Sequence, residues 1–122
     1  MATEKQLHET LTKIQSEIAG FIGASLVDLE TGMTLAAFSA RPDFDLSAAS
    51  AYNSEMVKQK MKIMKSLNLK TTLEDMLITL GDQIHLVKLI TPTTFLYLAA
   101  DRASTNLAIV RSAVVKYAGQ LQ

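Results

Sequence analysis

The side chains best suited to acid–base or metal chemistry in this chain are its two histidines and a scatter of carboxylates, and their spacing argues against both uses. His8-Glu9 begins like the helical HExxH of zinc proteases, where two histidines one turn apart share a metal, but Thr12 stands where the second histidine belongs. His8 therefore reads as a solvated helix residue. His85 falls in a stretch of strand character without convergent ligands and reads as a packed or edge-exposed imidazole. Glu74 and Asp75 are neighbours on a strand, so the pleat sends them to opposite faces and they cannot act as a local acid–base pair. The sequence has no Walker motif, GxGxxG, GxSxG or cysteine, so the common phosphate cradles and acyl-transfer nucleophiles are missing. The expectation is a non-enzyme with no catalytic, cofactor-binding or metal-ligating residues, whose function lies in its surfaces.

Three sets of residues could serve such a surface. Lys58, Lys62 and Lys65 project from the polar side of one helical pattern, either as a solvated face or as a dock for an acidic partner. Asn53 and Lys60 fall inside the apolar arc of the same pattern, where a dry environment demands hydrogen-bond or ionic partners. At a seam between two chains such groups set register; Lys60 can instead snorkel. Asp75 alternates with Leu73 and Leu77, and a charge on an apolar strand face protects an exposed edge or meets a partner.

A chain of 122 residues is long enough for one domain with a core that needs neither disulfides nor metal. With 48% hydrophobic and 20% charged residues it has a globular balance, which excludes a largely disordered chain. Twelve basic residues cancel twelve acidic ones, removing the net field that holds a phosphate backbone, so nucleic acid is not an expected partner. The charged N-terminal residues do not resemble a signal peptide, and no apolar run approaches the 18 or so residues of a membrane span. A cytoplasmic location is expected.

The elements that must position these residues follow from periodicity. Thr3 and Gln6 form a capping box, and Leu7, Leu11, Ile14 and Ile18 mark an amphipathic helix ending near Gly20. Phe21 to Leu29 reads as a strand covered on both faces, with a Glu30-Thr31-Gly32 turn and a return strand from Met33 to Phe38. Asp43 or Asp45 can cap a long helix that runs to Leu69. Thr71 to Leu80, Gln83 to Thr91 and Phe95 to Ala100 read as a three-strand meander, turning at Gly81-Asp82 and at Pro92 to Thr94, with the last strand apolar enough to be central. Ser104, Thr105 or Asn106 caps a final helix whose Leu107, Val110, Val114, Tyr117, Ala118 and Leu121 share a face. The order is αββαβββα, an α+β fold with an antiparallel five-stranded sheet, the long helix on one face and the first and last helices on the other.

The long helix has more apolar surface than a monomer needs. From Leu46 to Leu67 its apolar positions span roughly 180°, against about 100° for an ordinary surface helix. The arc divides into Leu46, Val57, Met61 and Met64 on one edge and Ala49, Tyr52, Met56, Ile63 and Leu67 on the other. One edge can seat on the protein's own sheet, which leaves the other for a second chain; the methionines suit an adaptable contact.

Two stretches, GASLVDLETGMTLA from Gly23 to Ala36 and TNLAIVR from Thr105 to Arg111, together with the order of elements, resemble the roadblock family of dynein light chains and bacterial regulators of Ras-like GTPases. The family commonly has a glycine where Ala108 stands, a change small enough to keep close packing. The resemblance implies a single roadblock-like domain over residues 1–122. It also implies a homodimer, or a heterodimer with a paralogous roadblock chain, in which the long helices pack together and the third strands pair edge to edge. On this sequence the implied interface is Tyr52, Asn53, Met56, Lys60, Ile63 and Leu67 of the helix with Leu73, Asp75 and Leu77 of the strand; Lys60 argues against symmetric self-pairing. In bacterial members the paired helices present a platform to a small Ras-like GTPase, to which Lys58, Lys62 and Lys65 would turn here, and the regulator reshapes the GTPase's own site without inserting a catalytic residue. The implied function is a non-enzymatic adaptor that modulates or scaffolds a GTPase. The alternatives are a structural light-chain or assembly subunit, and a profilin- or PAS-like small-molecule sensor, which needs a ligand cavity.

Overall fold

A computed structural model describes residues 2–122. The elements are α1 (Glu4–Ser16), β1 (Phe21–Asp28), β2 (Thr34–Ser39), α2 (Leu46–Ser66), β3 (Asp75–Thr79), β4 (Gln83–Thr91), β5 (Thr94–Asp101) and α3 (Leu107–Tyr117), with a closing 3-10 turn at Ala118–Leu121. The five strands form one antiparallel sheet in the order β2-β1-β5-β4-β3, so apolar β5 is central, as its composition requires.

Local chemistry fixes the ends of the elements. At α1 the Thr3 hydroxyl accepts from the Gln6 N–H at 3.1 Å while the Gln6 side chain accepts from the Thr3 N–H at 2.8 Å. Asp45 caps α2 through the Ala48 N–H at 3.0 Å, and Asn106 caps α3 through the Ile109 N–H at 3.2 Å. α2 stops at Ser66, short of Leu69, because Asn68 turns left-handed at φ 57. Its N–H then reaches the Lys65 carbonyl, and that of Leu69 reaches Met64, closing a Schellman motif. α1 likewise ends at Ser16, before Gly20, although Ile18 beyond it stays buried.

Two cores flank the sheet. Leu11 and Ile14 of α1 and Val110 and Val114 of α3 meet Leu26, Leu86, Leu96 and Leu98 on one face. On the other, Leu46 and Val57 of α2 meet Ile22, Val27, Val87, Phe95 and Tyr97. A bulge at Ile22-Gly23 puts both residues on the α2 side, where a Cβ on Gly23 would come within 3.1 Å of Leu46. Two helices cover the first face and one covers the second, and α2 lies over β1 and β2. The α2 side of β3 and β4 is thereby left thinly covered.

Strand β3 is shorter than the span from Thr71 to Leu80 that its composition suggests. Ladder pairing starts where the Glu74 carbonyl accepts from the Leu89 N–H, so residues 71–73 lie outside the sheet and escape its alternation. Leu73 accordingly packs with the α2-side core, whereas Leu77 packs with the α1/α3 core and Asp75 reaches Arg111 of α3 at 3.3 Å. These three residues do not share a face.

Candidate interaction surface

Helix α2 is seated by a seam that is partly polar. Ser50 and Ser54 are buried with Leu46 and Val57. The Ser50 hydroxyl lies 2.7 Å from that of Ser25 on β1 and also bonds the Leu46 carbonyl, while Ser54 bonds the Ala51 carbonyl. Small hydroxyls let the helix approach the strand closely and satisfy themselves locally, so two polar residues sit dry at little cost. Gly32, at φ 75, completes the approach: a Cβ there would stand 2.9 Å from the Ser54 hydroxyl. The adjoining turn is tightened by Asp28, whose carboxylate takes the Thr31 hydroxyl and N–H and is held below the usual carboxylate range by them. The sequence gives one visible sign of this seam, serine at a four-residue spacing, which an apolar-periodicity reading passes over.

That seating turns one edge of α2 outward. Tyr52 is 78% exposed, Leu67 65% and Ile63 39%, while Ala49 and Met56 are half-buried. Asn53, half-buried between the two edges, meets its need for a partner within the helix by donating to the Ala49 carbonyl at 2.7 Å. Lys60 is exposed, with no carboxylate in ion-pair range among the described residues. Six of the residues expected at an interface, Tyr52, Asn53, Met56, Lys60, Ile63 and Leu67, therefore lie along one strip of helix. The strand residues that share its side of the sheet are Met76 and Ile78, which the sequence reading did not select; Asp75 and Leu77 point to the other face.

Among the three lysines, Lys58 is drawn inward, donating to the Glu30 carbonyl at 2.7 Å and lying 3.4 Å from Glu55. It docks α2 on the β1–β2 turn. Lys62 and Lys65 are exposed and free of carboxylates among the described residues. No acidic residue occurs between Glu55 and Glu74, whereas Lys58, Lys60, Lys62, Lys65 and Lys70 do, so a chain of zero net charge carries a basic helix.

Both histidines are engaged. His8 is exposed, but its Nδ1 lies 3.1 Å from the Ala37 carbonyl, which ties α1 to β2 and corrects the reading of it as merely solvated. His85 lies between Phe44 and Tyr97, with Nδ1 3.3 Å from the Tyr97 hydroxyl and Nε2 2.7 Å from Gln83 Oε1. Burial lowers its pKa against a small opposing pull from Asp82, and burial pushes Tyr97 up to about 12. A groove of about 640 Å3 opens under the end of α2, lined by Met61, Met64, Lys65, Leu73 and Leu89 among others. No group of three or more potential metal ligands occurs among the described residues.

No family model matches the sequence, nor does any curated protein sequence. Known structures do match. MglB of Myxococcus xanthus superposes with a TM-score of 0.87 at 13% identity, over 99% of this chain and 88% of that one. The Roadblock/LC7 domain from Streptomyces avermitilis gives 0.82 at 12% identity, over 93% and 92%. This is the roadblock/LC7 fold. The gliding protein MglB from Thermus thermophilus gives 0.85 at 18% identity, over 99% and 89%. Within the roadblock fold, the exposed strip on α2 and the free edge of β3 lie on the long second helix and the third strand, the two elements that the sequence resemblance singled out.

Proposed function

We propose that this chain is a non-enzymatic dimeric adaptor that binds a small Ras-like GTPase on its paired α2 helices and modulates or scaffolds the GTPase's activity. The observation that carries the reading is the two-sided character of α2. One side is locked to the sheet through Leu46, Ser50, Ser54, Val57 and Lys58, and the other holds Tyr52, Ile63 and Leu67 in solvent. Large apolar side chains aligned on one strip mark a surface that meets a partner. The family resemblance of the sequence favours a GTPase as the ultimate partner, and the likeness to MglB structures supports the fold on which that resemblance rests. Tyr52, Met56, Ile63 and Leu67 with the edge of β3 would form the dimer contact, and Lys62 and Lys65, beside it, would face an acidic surface of the GTPase.

The test is single-turnover GTP hydrolysis by Ras-like GTPases encoded alongside this chain, with and without it. A several-fold change in hydrolysis rate, or nucleotide-dependent binding without a rate change, is the expected result. Neither binding nor a rate change in either nucleotide state would leave a structural assembly subunit as the better description.

A further inference from the structure

Helix α2 outlasts its seat on the sheet. Its last tie to the β1–β2 turn is Lys58 on the Glu30 carbonyl, and beyond Lys58 only Met61 and Met64 are half-buried before Leu73. Every residue from Lys65 to Thr72 is exposed, the longest such run among the described residues. Its shape is fixed all the same: Asn68 turns left-handed, and the Leu69 N–H closes on the Met64 carbonyl. The result is a preformed tip that holds Leu67, 65% exposed, and Leu69, 48% exposed, in water.

Lysines surround this tip. Lys60, Lys62, Lys65 and Lys70 are exposed, none lies in ion-pair range of a carboxylate among the described residues, and no acid occurs between Glu55 and Glu74. At 100° per residue Lys60 and Lys62 leave the helix about 160° apart. A protein surface laid along α2 meets one flank or the other, whereas a plane approached by the helix end meets both.

We propose that the end of α2, from Lys60 to Lys70, docks on an anionic lipid bilayer, with Leu69 entering the boundary between headgroups and acyl chains and the lysines meeting lipid phosphates. The proposal goes beyond the adaptor reading and does not depend on it. Leu67 stands where the tip meets the dimer strip, but Leu69 and Lys70 belong neither to the proposed dimer contact nor to the GTPase-facing lysines. A specific protein interface takes roughly 20 to 30 residues a side, far more than this tip supplies. A bilayer accepts a few apolar side chains and any spacing of lysines, and it needs both signals, since neither alone anchors a protein firmly. Each lysine near an anionic leaflet strengthens binding roughly fivefold. Four of them outweigh the partial negative charge, about half a unit, of the helix C-terminus. The exposed acids of α1, Glu4 and Glu9, sit across the sheet from α2, so a chain of zero net charge still presents one basic end.

Sucrose-loaded vesicles of phosphatidylcholine with about 30% phosphatidylserine should pellet the full chain at about 0.1 M salt, and pure phosphatidylcholine vesicles should not. Lys70→Glu and Leu69→Ser should each weaken pelleting by about fivefold or more. Lys13→Glu, the same change of charge on exposed α1, should stay within about twofold of native. The sequence has no tryptophan, so Leu69→Trp places a unique fluorophore at the tip, and its emission should shift to the blue with anionic vesicles alone. A native chain left in the supernatant by anionic vesicles, with no blue shift in the Leu69→Trp variant, would overturn the proposal. Equal pelleting with neutral vesicles, or pelleting that Lys70→Glu and Leu69→Ser leave unchanged, would do the same. A chain that ignores vesicles but binds soluble polyglutamate, and loses that binding on Lys70→Glu, would overturn the bilayer and assign the tip to an acidic protein. All of these outcomes leave the GTPase reading standing, because its test turns on Lys62 and Lys65.

Discussion

Val57 and Ile63 are six residues apart on α2, hence about 120° apart around the helix, one turned into the fold and one partly exposed to solvent, so truncating each to alanine should give two distinguishable signatures. Val57 is fully buried against the sheet. Val57→Ala removes two methyl groups from water-free surroundings, about 1.6 kcal/mol at about 0.8 kcal/mol each, and the void left behind adds up to about 1 kcal/mol more. For a chain of 122 residues, where 1 kcal/mol shifts the melting midpoint by about 4 °C, a loss of about 2 kcal/mol lowers it by roughly 8 °C. Because this contact lies within one protomer, the shift should be the same at every protein concentration. Ile63 is 39% exposed and contributes less to the fold. Ile63→Ala should cost under about 1 kcal/mol at low concentration, with a growing deficit as concentration rises, because an assembly contact stabilises by mass action. Thermal unfolding followed by circular dichroism across a hundredfold concentration series reads both. A shift below about 2 °C for Val57→Ala, or concentration-independent behaviour for the native protein and both variants, would refute this division of α2 into a seated side and an assembly side.

Three further outcomes follow from the local chemistry. Asp45→Ala should destabilise by about 1 kcal/mol, read as a drop of roughly 4 °C in the midpoint, because it orphans the Ala48 N–H at the start of α2. Gly32→Ala should cost about 2 kcal/mol or more, through its left-handed backbone and the Ser54 hydroxyl 2.9 Å from the new Cβ, whereas Gly81→Ala, where a Cβ meets nothing, should lie within about 0.5 kcal/mol of native in urea unfolding. His85 has its pKa lowered by burial, so the unfolded chain takes up that proton first. Its contribution is present above the ordinary histidine value of about 6.5 and lost as pH falls below it, and His85→Gln should flatten the stability profile between pH 5 and 7 in urea titrations.

Much of the fold is written in local signals that act over a few residues. The Thr3–Gln6 capping box, the Gly32 turn, the apolar run of β1 and the central place of β5 each follow from side-chain chemistry that tertiary structure has no reason to override. Ends were harder to read where a residue outside the pattern intervenes. Asn68 stops α2 three residues before its apolar periodicity runs out, and the late start of pairing at Glu74 frees Leu73 from the alternation that would have placed it with Asp75 and Leu77. The seating of α2 was the least legible feature. Its buried face includes Ser50 and Ser54, whose burial depends on Ser25 and Gly32 lying opposite, a pairing across more than twenty residues that no local pattern encodes. The exposed strip of Tyr52, Ile63 and Leu67 was visible as excess apolar arc, but its strand-side neighbours Met76 and Ile78 could be assigned to that surface only once the phase of β3 was known.

The measurement closest to the central claim is a binding titration of a Ras-like GTPase, loaded with a non-hydrolysable GTP analogue or with GDP, against the native chain and against Lys62→Glu/Lys65→Glu. The expected result is nucleotide-dependent binding that weakens at least tenfold in the double variant and falls as salt rises, since both lysines are exposed and no carboxylate among the described residues pairs with them. Binding of equal strength by the native chain and the double variant, or no binding in either nucleotide state, would contradict it.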